Sequence, residues 1–151
     1  MFEAAWLGAA GLLAEKPELI VCNVGTFGDA GPLTSKPGYD PLMQAFAGLM
    51  SITGEGGGRP PVCTGASLVD MGAGMWATIG ILASLIERAK TKRGGCISTS
   101  LYETALSWLT LPMASYGASG ETRRPYDSGV AEIVPSVLSH AGWLADDRGR
   151  Q

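Results

Sequence analysis

The sequence predicts an α/β chain, and three stretches carry that expectation. Leu19-Ile-Val-Cys-Asn-Val24 is a mostly apolar run with β-branched residues, the pattern of a buried parallel strand. Asp70 is followed by sixteen uncharged residues, 71–86, in which Ile79, Leu82, Ala83 and Ile86 recur at helical spacing and Leu85 widens the stripe. Ser100-Leu-Tyr-Glu103 is a capping box that opens a further helix directly after the short strand candidate Cys96-Ile-Ser98. Strand-like and helical runs alternate, as they do in layered α/β proteins.

In chain order, residues 3–14 predict a short helix that Pro17 stops. This opening segment has the apolar look of a signal peptide, but it lacks a basic start and carries Glu3. The first strand leads into residues 25–38, a loop with four glycines and two prolines in fourteen residues. A long loop at the end of a strand is a common place for ligand contacts. Tyr39-Asp40-Pro41 opens a second helix, with Asp40 as N-cap and Pro41 at the first helical position. Leu42, Met43, Phe46, Leu49 and Met50 give it an apolar face. Residues 53–61 contain three consecutive glycines without the Gly-Lys-Ser/Thr of a phosphate loop, and read as a surface turn.

The run behind Asp70 is apolar on nearly every side, with Met75, Trp76 and Ala77 completing it, which is the mark of a buried helix. Gly72, Gly74 and Gly80 each weaken such a helix by about 1 kcal/mol relative to Ala, so they predict close backbone approach. Arg88, Lys90, Lys92 and Arg93 before Gly94 form a helix stop, with a dipole-compensating role favoured over a phosphate patch. The helix opened at Ser100 is expected to run to about Tyr116, kinked at Pro112. Residues 117–129 are polar and turn-rich, and residues 133–145 hold apolar pieces without a completed element. No apolar run reaches the roughly 20 residues a bilayer span needs, so no membrane segment is expected.

The chain has the size of one domain, at 151 residues. It is 46% hydrophobic, which argues against disorder, and only 17% charged, which points to surface covered by something else. A net charge of −3 argues against nucleic acid as a partner. Cys22, Cys63 and Cys96 are scattered and odd in number, and His140 is the only histidine. No zinc site, disulfide framework or histidine-based triad is therefore expected, and the cysteines read as small buried apolar residues in a reducing cytosol. Asp70 leaves two readings open on position alone: an ordinary helix N-cap, or a carboxylate nucleophile held at the positive end of the helix.

The order of motifs resembles the family III CoA-transferases, typified by formyl-CoA and carnitine CoA-transferases and related to the α-methylacyl-CoA racemases. The matching pieces are Gly25-Thr-Phe-Gly-Asp-Ala-Gly-Pro32, Lys36-Pro-Gly-Tyr-Asp-Pro-Leu-Met-Gln-Ala45 and Gly48-Leu-Met-Ser-Ile-Thr-Gly54. Asp70, Ile79-Gly-Ile-Leu-Ala-Ser-Leu85, Lys92-Arg-Gly-Gly95 and Ser98-Thr-Ser-Leu-Tyr-Glu-Thr-Ala-Leu106 follow in order. A weaker match continues through Ile133-Val-Pro135 and Gly142-Trp-Leu144. The resemblance implies a Rossmann-like α/β domain with few strands and several helices, spanning residues 1–151 as part of a large domain. The family's N-terminal CoA-binding segment and C-terminal small domain are expected to lie outside it, so that the chain reads as a central fragment.

The resemblance also implies the chemistry. Asp70 stands where the family has its catalytic nucleophile, and Lys36, Tyr39 and Asp40 match the segment that lines the CoA and substrate site. Acyl transfer would pass through an aspartyl mixed anhydride and an aspartyl-CoA thioester, with CoA as co-substrate and no metal. The amides of Gly72 and Gly74 are candidate oxyanion donors. Tyr39 stands where the racemases usually carry a histidine, which weakens a racemase reading. The family implies a homodimer in the cytoplasm acting on an acyl-CoA and a carboxylic acid. A catalytically silent fragment that serves only in association is the other reading.

Overall fold

The computed structural model describes residues 8–56, 58–122 and 125. In chain order the elements are α1 (Ala9–Glu15), β1 (Ile20–Gly25), α2 (Asp40–Ala47), α3 (Leu68–Thr91), β2 (Gly95–Ser100), α4 (Leu101–Trp108) and α5 (Thr110–Ser119). A short 3-10 turn, Leu49–Ile52, follows α2 after Gly48, whose φ of 94° provides the left-handed step between them. The strands pair in parallel, with Ile20 opposite Gly95 and Gly25 opposite Ser100. A parallel pair needs a crossover, and α2 with α3 supplies it. The expected α/β class is what forms: a two-stranded parallel sheet among the described residues, with helices around it.

The start of β2 is locked to the start of β1. Gly95 donates its N–H to the Leu19 carbonyl (3.1 Å) and Gly94 to the Pro17 carbonyl (2.8 Å). A Cβ on Gly94 would fall on the backbone carbonyls of Glu18 and Leu19, so a glycine is required there. Arg88, near the end of α3, donates from Nη1 to the Glu18 carbonyl (3.1 Å) and ties the helix to the same corner.

The core sits between α2, α3 and α4. Met43, Leu49, Val69, Ala105 and Leu109 are buried together, with Phe27, Ala47, Ile52, Leu101 and Tyr102 packed against them. Phe27, Phe46 and Tyr102 add a three-ring cluster with centroids 5.3–5.9 Å apart, two of its pairs edge-to-face. The stripe that α2 buries is Asp40, Met43 and Gln44, while Leu42 and Phe46 of the expected apolar face stay exposed.

Several expectations are corrected. The long helix starts at Leu68 with Ser67 as its N-cap, so Asp70 is a first-turn residue and not the cap. That helix is not buried all round: only Val69, Gly72, Ala73 and Ala77 are buried, whereas Met71, Met75, Trp76, Ile79, Leu82 and Ile86 are exposed. At 24 residues α3 is long and apolar enough to cross a membrane by length and composition, longer than the sequence run suggests. In the fold it carries β1, β2, α2 and α4 against it. β1 is half-buried at best, with Val24 exposed. Cys63 and Cys96 are exposed and Cys22 half-buried, all three free, so the buried-cysteine reading fails for two of them.

The single kinked helix after Ser100 is two helices. Leu109 breaks the chain between α4 and α5, at φ −90° and ψ 7°. Pro112 lies three residues beyond the break; its ring excludes the carbonyl four residues back, that of Trp108, and the chain yields there. The expected helix at 3–14 is seen from Ala9 and ends at Glu15, ahead of Pro17. Residues 1–7, Arg123, Arg124, His140 and the stretch 133–145 lie outside the described residues.

Two of the three glycines in α3 are sites of close approach. A Cβ on Gly72 would lie 2.7 Å from Thr104 Cγ2 and 2.9 Å from Trp108 Cζ2, and one on Gly80 would lie 2.7 Å from Ile97 Cγ2. Nothing lies within 4 Å of the same position on Gly74. Gly72→Ala is therefore expected to destabilise the chain by about 1–3 kcal/mol through overpacking. Gly74→Ala should stabilise it by up to about 1 kcal/mol through helix propensity. Urea denaturation of the two variants beside the parent chain checks both signs.

Candidate functional site

The first turn of a helix has backbone N–H groups with no helical carbonyl to meet them. In α3 the Leu68 amide donates to the Ala66 carbonyl (2.7 Å). The next two donate to one side-chain oxygen far back in the chain: Val69 N–H to Asp40 Oδ2 at 2.6 Å and Asp70 N–H to the same atom at 3.0 Å. The helical ladder then begins with Met71 N–H on the Ser67 carbonyl (3.0 Å).

Asp40 was expected to cap its own helix, but Tyr39 is the N-cap of α2 and offers no side-chain cap bond. Asp40 takes the first helical position with its side chain turned inward, where it is 2% exposed. Its carboxylate caps α3 instead. The other oxygen, Oδ1, accepts from Gln44 Nε2 at 2.5 Å, one turn along α2. Gln44 is 1% exposed, and its Oε1 accepts from the Thr64 amide (2.9 Å) and hydroxyl (3.2 Å). The Ala66 carbonyl, 3.1 Å from Thr64 Oγ1, shares that one hydroxyl proton with Gln44 Oε1. The polar chain therefore runs from α2 through the segment before α3 and into its first turn. No buried side-chain polar atom among the described residues lacks a partner.

Asp70 ends up exposed on that first turn. Its backbone is fixed by Asp40, while its own carboxylate makes no hydrogen bond or ion pair among the described residues. The helix dipole favours a negative group there. An open groove of about 560 Å³ begins at the next residue, lined by Met71, Gly74, Met75, Thr78 and Ile79. Gly74 and Thr78 stand one and two turns from Asp70 on its own face of the helix. A larger cleft of about 980 Å³, between Ser51, Glu55, Arg59 and Glu121, includes none of the expected site residues.

Of the residues the sequence singles out, the structure joins Asp40 to Asp70 directly. Tyr39 is 64% exposed next to Asp40. Lys36 is exposed in the loop before α2 and makes no ion pair among the described residues. Gly72 and Gly74 do not suit the oxyanion role: both lie past the first turn, where a helical N–H is committed to the carbonyl four residues back. Gly72 is also buried against Thr104 and Trp108. No metal-holding group of three or more His, Cys, Asp or Glu occurs among the described residues.

Sequence reasoning missed Gln44 and Thr64. A signal was present, because Asp40 and Gln44 stand one turn apart and flank Met43 on the side α2 buries. Glu103 was read correctly as the partner of Ser100. Its amide donates to Ser100 Oγ (3.1 Å), the cap half of a capping box, while its Oε2 accepts from the Ser100 hydroxyl (2.7 Å) in place of the backbone N–H that the full box would use.

Comparison with known proteins places this arrangement in a family. The profile of CoA-transferase family III matches residues 1–142. The chain belongs to CoA-transferase family III. An acyl-CoA transferase of Fusarium pseudograminearum is 37% identical, over 83% of this chain and 30% of its own length. The succinyl-CoA:glutarate CoA-transferase of Mus musculus is 32% identical, over 79% of this chain and 27% of its own. Among solved structures, a CAIB/BAIF family protein from Brucella suis superposes with a TM-score of 0.79 at 32% identity, covering 85% of this chain and 34% of that one. The chain of this family III member thus spans about a third or less of the length of these relatives.

Removing the cap is expected to be costly. Asp40→Ala leaves the amide of Val69 and the side-chain amide of Gln44 buried without partners, at about 1–3 kcal/mol for each group, and frees the part-buried amide of Asp70. A loss of at least about 2 kcal/mol in urea denaturation is expected. Asp40→Asn, which keeps an acceptor for the two backbone amides, should lose clearly less.

Proposed function

We propose that this chain carries the nucleophile of a CoA-transferase that moves CoA from an acyl-CoA to a carboxylic acid, with Asp70 as that nucleophile. One observation supports the reading most. In a chain of this family, Asp70 is exposed on the first turn of α3, its backbone held and its carboxylate unengaged among the described residues. The relatives' names supply the substrate class: acyl-CoA thioesters as donors, and carboxylates such as glutarate and oxalate as acceptors.

The chemistry is exchange between activated acyl groups. An Asp70 oxygen attacks the thioester carbonyl, the C–S bond breaks, and CoA leaves as its thiolate from a mixed anhydride. The thiolate attacks the aspartyl carbon of the anhydride and expels the donor carboxylate, leaving an aspartyl-CoA thioester. The acceptor carboxylate attacks that thioester, releasing the thiolate and forming a second anhydride. The thiolate then attacks the acceptor's acyl carbon, which returns Asp70 as a carboxylate and releases the new acyl-CoA. Each intermediate keeps the acyl group activated, so no nucleotide hydrolysis is needed. We assign Lys36 and Tyr39, both exposed ahead of α2, to contact with CoA. The groove along Met71, Met75 and Ile79 is a surface for the acyl portion.

A second reading, association without catalysis, is favoured by the outer face of α3, where Met71 is 65% and Ile86 64% exposed. Large exposed apolar patches mark interaction surfaces. On that reading the chain self-associates at micromolar concentration, and sedimentation giving a compact monomer would count against it.

The nucleophile is tested by substitution. Asp70 is not the cap, so Asp70→Asn and Asp70→Ala should each alter stability by no more than about 1 kcal/mol, the size of a helix-dipole interaction. Both should abolish the covalent adduct that forms on incubation with succinyl-CoA and is trapped by hydroxylamine. Mass spectrometry locating the adduct on another residue, or an adduct persisting in the Asn variant, would sink the assignment.

A further inference from the structure

We infer that Asp40 and Gln44 are positioning residues for Asp70, a pair that sets where the nucleophile's backbone stands and so the rate of the covalent step. The inference rests on the proposed role of Asp70. It goes beyond that role by assigning to α2 a part in the chemistry that does not require α2 to touch substrate.

The geometry points there in three ways. Asp40 Oδ2 accepts from two successive amides, Val69 and Asp70, so the peptide units on either side of Val69 are held and the Cα of Asp70 is fixed in space. The remaining freedom of the nucleophile is its side-chain torsions. Second, both residues of the pair are nearly inaccessible, at 2% and 1% exposure, and the Asp40 oxygens are both occupied. A buried carboxylate with three donors on it acts on a ligand only through what it holds.

Third, the device is larger than a cap. Two amides need one acceptor, and Asp40 Oδ2 is enough for both. Gln44 adds a second tie: Nε2 on Asp40 Oδ1 stops the carboxylate turning, and Oε1 holds the Thr64 amide and hydroxyl. Thr64 begins the segment that enters α3, so the approach to the turn and the turn carrying Asp70 are bound to the same two side chains of α2. Orientation matters at this step because an attacking oxygen misplaced by about 1 Å can lose roughly a hundredfold in rate.

The test uses Gln44→Met in this chain, a change of similar side-chain volume that removes both ties while leaving Asp40 in place, together with Asp40→Asn. Hydrogen exchange of the Val69 and Asp70 amides reads the clamp. Labelling of Asp70 by succinyl-CoA, trapped with hydroxylamine, reads the chemistry as a maximal rate and a half-saturating concentration. In Gln44→Met, protection at those two amides should fall by about tenfold or more, with the α3 amides beyond Ala77 unchanged, which shows that the fold persists. The maximal labelling rate should fall by about ten- to a hundredfold, with half-saturation within about threefold of the parent. Asp40→Asn should lie between the two, since its remaining oxygen still holds the backbone amides.

An unchanged maximal rate in Gln44→Met overturns the positioning role. So does a raised half-saturation at unchanged maximal rate, which would put the pair in the binding surface. Failure of the parent chain to form any adduct on Asp70 overturns the nucleophile reading itself, and the positioning role falls with it.

Discussion

The amides of Val69 and Asp70 cannot be satisfied by α3 itself, and both are taken by a carboxylate about thirty residues upstream. That bond joins the two helices that frame the described core. It brings the N-terminus of α2 against the N-terminus of α3, so the negative charge of Asp40 meets the positive end of the helix dipole. Burial strengthens the bond to Val69 and makes its absence costly, because that amide has no water to turn to. With the two helix starts joined, Met43 and Val69 are buried in one core with Ala105 and Leu109 from the α4 side. The exposed position of Asp70 follows as well: the turn that presents it is anchored from beneath.

The remainder of α3 is positioned by small residues. Gly72 and Gly80 let α4 and β2 approach where a Cβ would collide, and Ala73 and Ala77 line the same buried side. Close approach of this kind trades the helix-weakening effect of glycine for contact area between elements. The bulky residues of the helix point the other way. Met71, Met75, Ile79, Leu82 and Ile86 are exposed there.

The element types were largely legible, because each rested on a local signal. The β-branched run at residues 20–24, the Ser100 cap over Glu103, the basic stop after Arg88 and the Pro17 break all act within a few residues of themselves. Boundaries were less legible. The two residues, Leu68 and Val69, that α3 gains ahead of Asp70 depend on an acceptor in another helix, and no local rule can supply that partner. The break at Leu109 was displaced from Pro112 because proline acts on the preceding turn. Asp70 was legible as the acid at the head of the long helix, whereas Asp40 was misread: it has the composition of a cap and caps a different helix.

What the sequence by itself determined is the alternation of strand and helix, the family, and the identity of the acid at the head of the apolar helix, since these are carried by residue type and order along the chain. Only the tertiary structure decided which side of that helix is buried and which carboxylate holds its first turn. The apolar period says that a helix wants partners but not which of two apolar faces will find them. A capping oxygen is identified by its distance to an amide, and the bond from Asp40 to Asp70 spans thirty positions that become neighbours only when α2 and α3 pack.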